Sequence, residues 1–161
     1  MKLFNFFKRK KRRGFEVLEN FQEHFANGSV KKPVRKTNDS AGYDICAIGD
    51  YVIPPNTKAI VNTGLTAYMG VDEWLALFVR SGLAYGNNLT LQNATGVIDS
   101  DFYGNHILIL LRNEGEEVFR VNHGDRIAQG IFLPYLKADE DAQSSKLERN
   151  GGFGSTGVKA A

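Results

Sequence analysis

Cysteine is almost absent: Cys46 is the only one in the 161 residues. No internal disulfide can form, and a reducing compartment, the cytoplasm, is the expected setting. Also missing is any apolar run near the roughly 20 residues that a membrane span requires. Met1 to Phe7 is apolar and precedes a basic run, the reverse of a secretory signal, so export is not expected. Metal-site spacings are lacking, because no HxxxH, CxxC or HxE pattern occurs and the three His residues are scattered. A Walker-type phosphate loop is absent, and nothing places a Ser-His-Asp triad. Stretches of helical periodicity are scarce, which sets aside a helical bundle.

Positive charge is abundant only at the front. Residues 1–36 hold 11 Lys/Arg against 3 Asp/Glu, whereas residues 37–161 hold 9 against 15. The net charge of +2 therefore conceals a basic head and a mildly acidic body, and an acidic body disfavours nucleic acid as its main ligand. Lys8 to Arg13 is an unbroken basic block that repels itself when isolated. Beyond it, Phe15, Leu18, Phe21 and Phe25 recur at helical spacing before the stop signal Asn27-Gly28, which predicts a short amphipathic helix. Residues 1–29 then read either as an extension whose helix docks on the body, or as an attachment point for nucleic acid, a protein or a membrane surface.

From Val34 the texture changes to short apolar runs cut by turn residues. Strands are predicted at Tyr51 to Ile53, Lys58 to Asn62, Trp74 to Val79, Ile107 to Leu111, Val118 to Val121 and Ile127 to Leu133. One chain of this length holds one domain, and this punctuation suggests an all-β sandwich, jelly roll or barrel. Residues 138–150 are polar and lead to Gly151-Gly152-Phe153-Gly154-Ser155-Thr156-Gly157. Glycines let backbone amides approach an anion and hydroxyls add donors, so this tail fits a phosphate-gripping lid as well as a plain Gly/Ser end.

Three further clusters carry chemistry. Gly96 to Gly104 combines a β-branched run, Asp99 and Asp101, two aromatics and a closing glycine, which reads as a tight hairpin whose aspartates could serve the turn itself. Arg80-Ser81-Gly82 follows an apolar strand and would suit a phosphate, as would many strand-end turns. Gly124 to Gln129 is a turn feeding a strand and is uninformative alone.

Taken in order, these pieces resemble the five motifs of the trimeric dUTPase family. They are Ala41-Gly42-Tyr43-Asp44-Ile45, Arg80 to Ala84, Gly96 to Gly104, Gly124 to Gln129 and Gly152 to Gly157, and the resemblance covers roughly residues 30–161. It implies a jelly-roll core over residues 30–140 and a homotrimer. An arm over residues 141–161 would close on a neighbouring subunit's site. It also implies hydrolysis of dUTP to dUMP and pyrophosphate with Mg2+. Asp99 would activate the water, and a carboxylate is ionised at neutral pH and so is available as a base. Arg80, Ser81, Gly82 and Gln129 would grip phosphates, joined by Arg149, Ser155 and Thr156 from the arm. Backbone groups of Gly96, Val97, Ile98 and Ile107, with Asn93, would read uracil. Phe153, next to Gly154, would stack on the base. Magnesium would ride on the phosphate oxygens without a direct protein ligand, and Asp44 would either reach its water shell or serve as a turn or interface residue.

Three departures accompany the resemblance. Phe102 stands where the family usually has a Tyr against the deoxyribose, with Tyr103 after it; Arg149 sits one residue closer to the glycines than the family's arm Arg; and Val79 replaces a common Pro. The related dCTP deaminases need a glutamate near the third motif, and residues 93–107 contain none. The remaining alternative is a regulatory protein on the same fold, switched by nucleotide.

Overall fold

The structure, a computed structural model of the chain, describes residues 11–141. Strand β1 (Gly14–Val17) is followed by a 3-10 turn, Glu19–Phe21, and the short helix α1 (Gln22–Ala26). Next come β2 (Val34–Arg35), β3 (Tyr43–Cys46), β4 (Tyr51–Ile53), β5 (Lys58–Asn62), β6 (Leu65–Tyr68) and β7 (Glu73–Val79). Helix α2 (Ser81–Asn87) precedes β8 (Leu89–Leu91), β9 (Gly96–Asp99) and a second 3-10 turn, Ser100–Phe102. The described part ends with β10 (Leu108–Asn113), β11 (Phe119–Val121) and β12 (Arg126–Pro134).

The subunit is thus built mostly of β-strands, and its strands pair antiparallel. A five-stranded sheet runs β2-β3-β12-β7-β9 and a three-stranded sheet runs β5-β10-β8, while β4 pairs with β11 and β1 with β6. Period-two alternation places the core: along β10, Ile109, Leu111 and Asn113 are buried and their neighbours are partly open. Ile109 and Leu111 join Ile45, Val61, Leu75 and Ile127 in one cluster fed by both larger sheets. Truncating one such side chain to Ala costs about 2–5 kcal/mol. The buried Asn113 is satisfied, its Nδ2 donating to the carbonyls of Ile53 and Glu117, each at 2.8 Å, and its Oδ1 accepting from Gly115 at 3.0 Å. Among the described residues no helix is long and apolar enough to cross a membrane.

The front of the chain corrects one expectation. Only Gln22–Ala26 is α-helical, and Gly14–Val17 instead forms a strand on β6, with Phe15 opposite Ala67 and Val17 opposite Leu65. Phe15 and Val17 lie two residues apart, so in a strand both pack on the main core; Phe21 and Phe25 pack against Val30, Cys46 and Ile48. Pairing with β6 supplies hydrogen bonds that a first helical turn would leave unmade. The stop signal acts as read: Gly28 has φ +77° and its N–H donates to the Phe25 carbonyl at 3.3 Å.

The end of the basic block is docked as well. Arg13 grips the Glu73 carboxylate with both Nε, at 2.9 Å, and Nη2, while Arg12 stands 3.2 Å away. Glu73 also accepts the Gly70 N–H at 3.2 Å, and these donors, Arg13 first, lower its pKa from 4.5 to about 2.

Candidate active site

The residues expected to act together fall into two groups. The first surrounds a pocket of about 260 Å³ lined by Asn93, Gly96, Val97, Ile98 and Phe102, with Leu77 and Leu91 as its apolar floor. The volume lies below the roughly 300–1,000 Å³ that holds a drug-sized ligand, so it suits a base with part of a sugar rather than a whole triphosphate.

Strand topology explains why the space exists. The Gly96–Gly104 segment is not a tight hairpin, because β9 and β10 do not pair with each other: β9 closes the edge of the five-stranded sheet on β7, and β10 pairs with β5 and β8. The 3-10 turn and the residues before β10 hold the two strands apart. Edge strands present backbone donors and acceptors that no strand ladder uses. Such groups on β9, facing the opposite wall from Leu108, Ile109 and Leu110, are suited to a planar hydrogen-bonding ligand. Gly96 is required for close packing, since a Cβ there would meet the Leu77 side chain at 2.9 Å.

Asp99 is the last residue of β9, half-buried, opposite Trp74 of β7. Phe102 follows on the 3-10 turn and is buried against the pocket. Ile107 does not take the expected place. Its N–H donates to Leu65 O at 2.9 Å and its carbonyl accepts the Thr63 hydroxyl at 2.6 Å, so its backbone is engaged with the core and its neighbours line the pocket. His106, which sequence reasoning missed, also lines the pocket. Its Nε2 accepts the Gly64 N–H at 2.9 Å and the Thr63 N–H at 3.3 Å, so the ring proton sits on Nδ1, and burial pushes its pKa down.

The second group gathers at the far end of β7. Arg80 directly precedes α2, and Ser81 and Gly82 form that helix's exposed first turn, where backbone N–H groups have no acceptor within the helix. Asp44 on β3 sits between two guanidiniums, 3.0 Å from Arg80 Nε and 2.8 Å from Arg126 Nη1. Both carboxylate oxygens thus pair with arginines, which orients the cations. Arg126 is a second missed residue, although its motif was in view and its charge opposes Asp44. Gln129 on β12 lies level with Asp44 and Phe78, donates weakly to Val79 O at 3.4 Å, and packs on Gly42 so closely that a Cβ there would collide with its amide.

Within one chain the two groups do not meet. Asp99 is level with Trp74, and Arg80 comes six residues after Trp74, just past the end of β7, a span of about 20 Å at ~3.4 Å per residue. Arg149, Phe153, Gly154, Ser155 and Thr156 lie outside the described residues. Among the described residues no group of three or more His, Cys, Asp or Glu side chains could hold a metal ion.

The fold and the sequence are both shared with known proteins. The dUTPase family model matches residues 29–157. The deoxyuridine 5'-triphosphate nucleotidohydrolase of Lactococcus lactis subsp. lactis is 41% identical over 151 residues, covering 91% of this chain and 98% of that protein. The corresponding protein of Nautilia profundicola is 38% identical over 128 residues, covering 78% and 89%. Among solved structures, dUTPase from Streptococcus mutans superposes with a TM-score of 0.71 at 34% identity, over 78% of this chain and 98% of that one. A mutant dUTPase from phage phi11 of S. aureus, described with a coordinated structural Mg(II) ion, shares the fold at 19% identity and a TM-score of 0.67, over 86% and 98%. With a family match across most of its length and a close relative across nearly all of it, the chain belongs to the dUTPase family.

Proposed function

We propose that this chain hydrolyses dUTP to dUMP and pyrophosphate, taking Mg·dUTP as substrate, and does so as a homotrimer in the cytoplasm. The observation that carries the reading is the slot between the β9 edge and β10, with Asp99 at the end of the strand that forms its wall. Uracil presents acceptor, donor and acceptor along one edge, and a main-chain wall can match that order while leaving cytosine mispaired. Each buried polar group left unpaired costs about 1–3 kcal/mol, so a few mismatches discriminate usefully. Phe102 packs on the sugar and leaves no room for a 2′-hydroxyl.

Asp99 takes a proton from a water as that water attacks the α-phosphorus. The bond from the α-phosphorus to its bridging oxygen breaks, and pyrophosphate leaves with the electron pair. Charge gathers on the phosphates, so fixed donors dominate the barrier: Arg80 and Arg126, the first-turn amides of Ser81 and Gly82, and Gln129. The roughly 20 Å between Asp99 and Arg80 supports a site shared between subunits, Asp99 from one chain and Arg80 from another. A third chain's arm would complete it, Phe153 stacking on uracil while Arg149, Ser155 and Thr156 cover the γ-phosphate.

Pyrophosphate release from dUTP, dCTP, dTTP and UTP with Mg2+ tests this directly. Turnover of dUTP alone is expected, and appreciable UTP turnover would sink the role given to Phe102. Asp99→Asn should lose about 10²–10⁴-fold in turnover while still binding nucleotide. Any regulatory effect that survived in that variant would be separable from catalysis.

A further inference from the structure

Three contacts, two of them from the front of the chain, converge on the segment that follows Asp99 and Phe102. The first is Tyr103, whose hydroxyl donates to Glu16 Oε2 at 2.7 Å. The second is Gly104, whose N–H donates to Thr66 Oγ1 at 2.8 Å. Glu16 and Thr66 are register partners on β1 and β6, so one rung of that ladder holds two successive residues of the turn. The third is Phe21, whose ring lies 4.8 Å from that of His106 at the turn's other end. Arg13 meanwhile binds Glu73, the neighbour of Trp74, which stands opposite Asp99.

The Phe102 carbonyl accepts from Asn105, through N–H at 3.0 Å and Nδ2 at 3.2 Å, while Tyr103 and Gly104 just beyond are exposed. A single 3-10 turn has poor hydrogen-bond geometry and tilts readily. The Glu16–Tyr103 bond is short and charge-assisted, which makes it directional. The Tyr103 hydroxyl pKa is raised chiefly by that hydrogen bond, so the phenol remains a donor at neutral pH.

We infer that Glu16 and Tyr103 are positioning residues for hydrolysis: through their hydrogen bond, β1 fixes the turn that sets Asp99 and Phe102 against the pocket. They touch no substrate. The inference rests on the proposed role of Asp99 at the reacting phosphorus. A displacement of about 1 Å at such a centre can cost 10²-fold in rate, so a partial loosening should cost about tenfold.

The test measures kcat, KM and the thermal midpoint for dUTP hydrolysis in Glu16→Ala, Tyr103→Phe, the double variant and Glu16→Gln. Expected is a loss of about tenfold in kcat for each disruptive single variant, with KM within about twofold. The double variant should lose no more than either single, because one bond is removed once. Glu16→Gln, which still offers an acceptor, should recover most of the rate. Wild-type kcat in Glu16→Ala and Tyr103→Phe, at any thermal midpoint, would overturn the inference. So would additive losses in the double variant. Asp99→Asn run alongside keeps the two readings apart: full turnover there would sink the role of Asp99, whereas an inactive Asp99→Asn beside fully active Glu16→Ala would sink only the positioning role.

Discussion

In the proposed site, Asp44 would serve the chemistry by holding two arginines rather than by touching substrate. Its carboxylate is mostly covered and is shared between Arg80 and Arg126, which come from the end of β7 and the start of β12. Without the carboxylate, two like charges would face each other and turn towards solvent, each long side chain regaining rotamer freedom. The guanidiniums would then need to be reordered by the incoming phosphates, a cost that appears in binding. Asp44→Ala is expected to raise KM for Mg·dUTP about tenfold, from roughly 1.4 kcal/mol of lost preorganisation. Steady-state kinetics with dUTP checks this, and an unchanged KM would mean that the arginines are held by something else. Gly42 belongs to the same arrangement, because only a residue without a Cβ lets the Gln129 amide lie where it does.

The ion pair between Arg13, just before β1, and Glu73 of β7 should be visible in the acid stability of the fold. Glu73 has a folded pKa of about 2 against an ordinary 4.5, so the folded chain binds fewer protons than the unfolded one between those values. The stability it contributes is complete above about 4.5 and is lost as pH falls towards 2. Burial acts on His106 in the same direction at higher pH, with the loss beginning as pH falls below 6.5. Thermal midpoints across this range should fall in two stages, and Glu73→Gln should flatten only the lower one. A wild-type curve that stayed level below about pH 4.5 would remove the pairing as a stabilising element.

Elements also show what could be read from the sequence. Tyr51 to Ile53 and Lys58 to Asn62 were legible because Pro54-Pro55-Asn56 punctuates them, and Asn56 does adopt φ +59°. The motifs singled out Asp99, Phe102 and Arg80, which lie at the end of β9, on the 3-10 turn and just before α2. Strand β1 was not: Phe15, Leu18, Phe21 and Phe25 fit a helical stripe, and only the distant Leu65–Tyr68 edge makes the first of them a strand. The separation of β9 from β10 was hidden for a similar reason, since each strand's partner lies elsewhere in the chain. Glu16 and His106 carry no local signal at all. Their meaning comes from what the fold sets beside them.

At the scale of the whole molecule, the separation of Asp99 from Arg80, which lie near opposite ends of β7, underlies the proposal that a site is shared between chains. Strands are stiff, and the pairing of β7 with both β9 and β12 fixes it further, so no local rearrangement brings the two residues together. In the proposed trimer, a triphosphate whose base sits beside β9 would find its cations on another copy, and closed rotational symmetry would give each copy the same arrangement. This makes a mixing experiment decisive. Asp99→Asn and Arg80→Ala should each be nearly inactive alone, because every site lacks either the base or a phosphate cation. Co-expressed in equal amounts, they should form mixed copies of the proposed trimer, in which an intact Asp99 from one chain meets an intact Arg80 from the other. With random assembly about one quarter of the sites regain both groups, so activity should return to about a quarter of wild type. If each chain instead built its own site, every site would still carry one lesion and mixing would restore nothing.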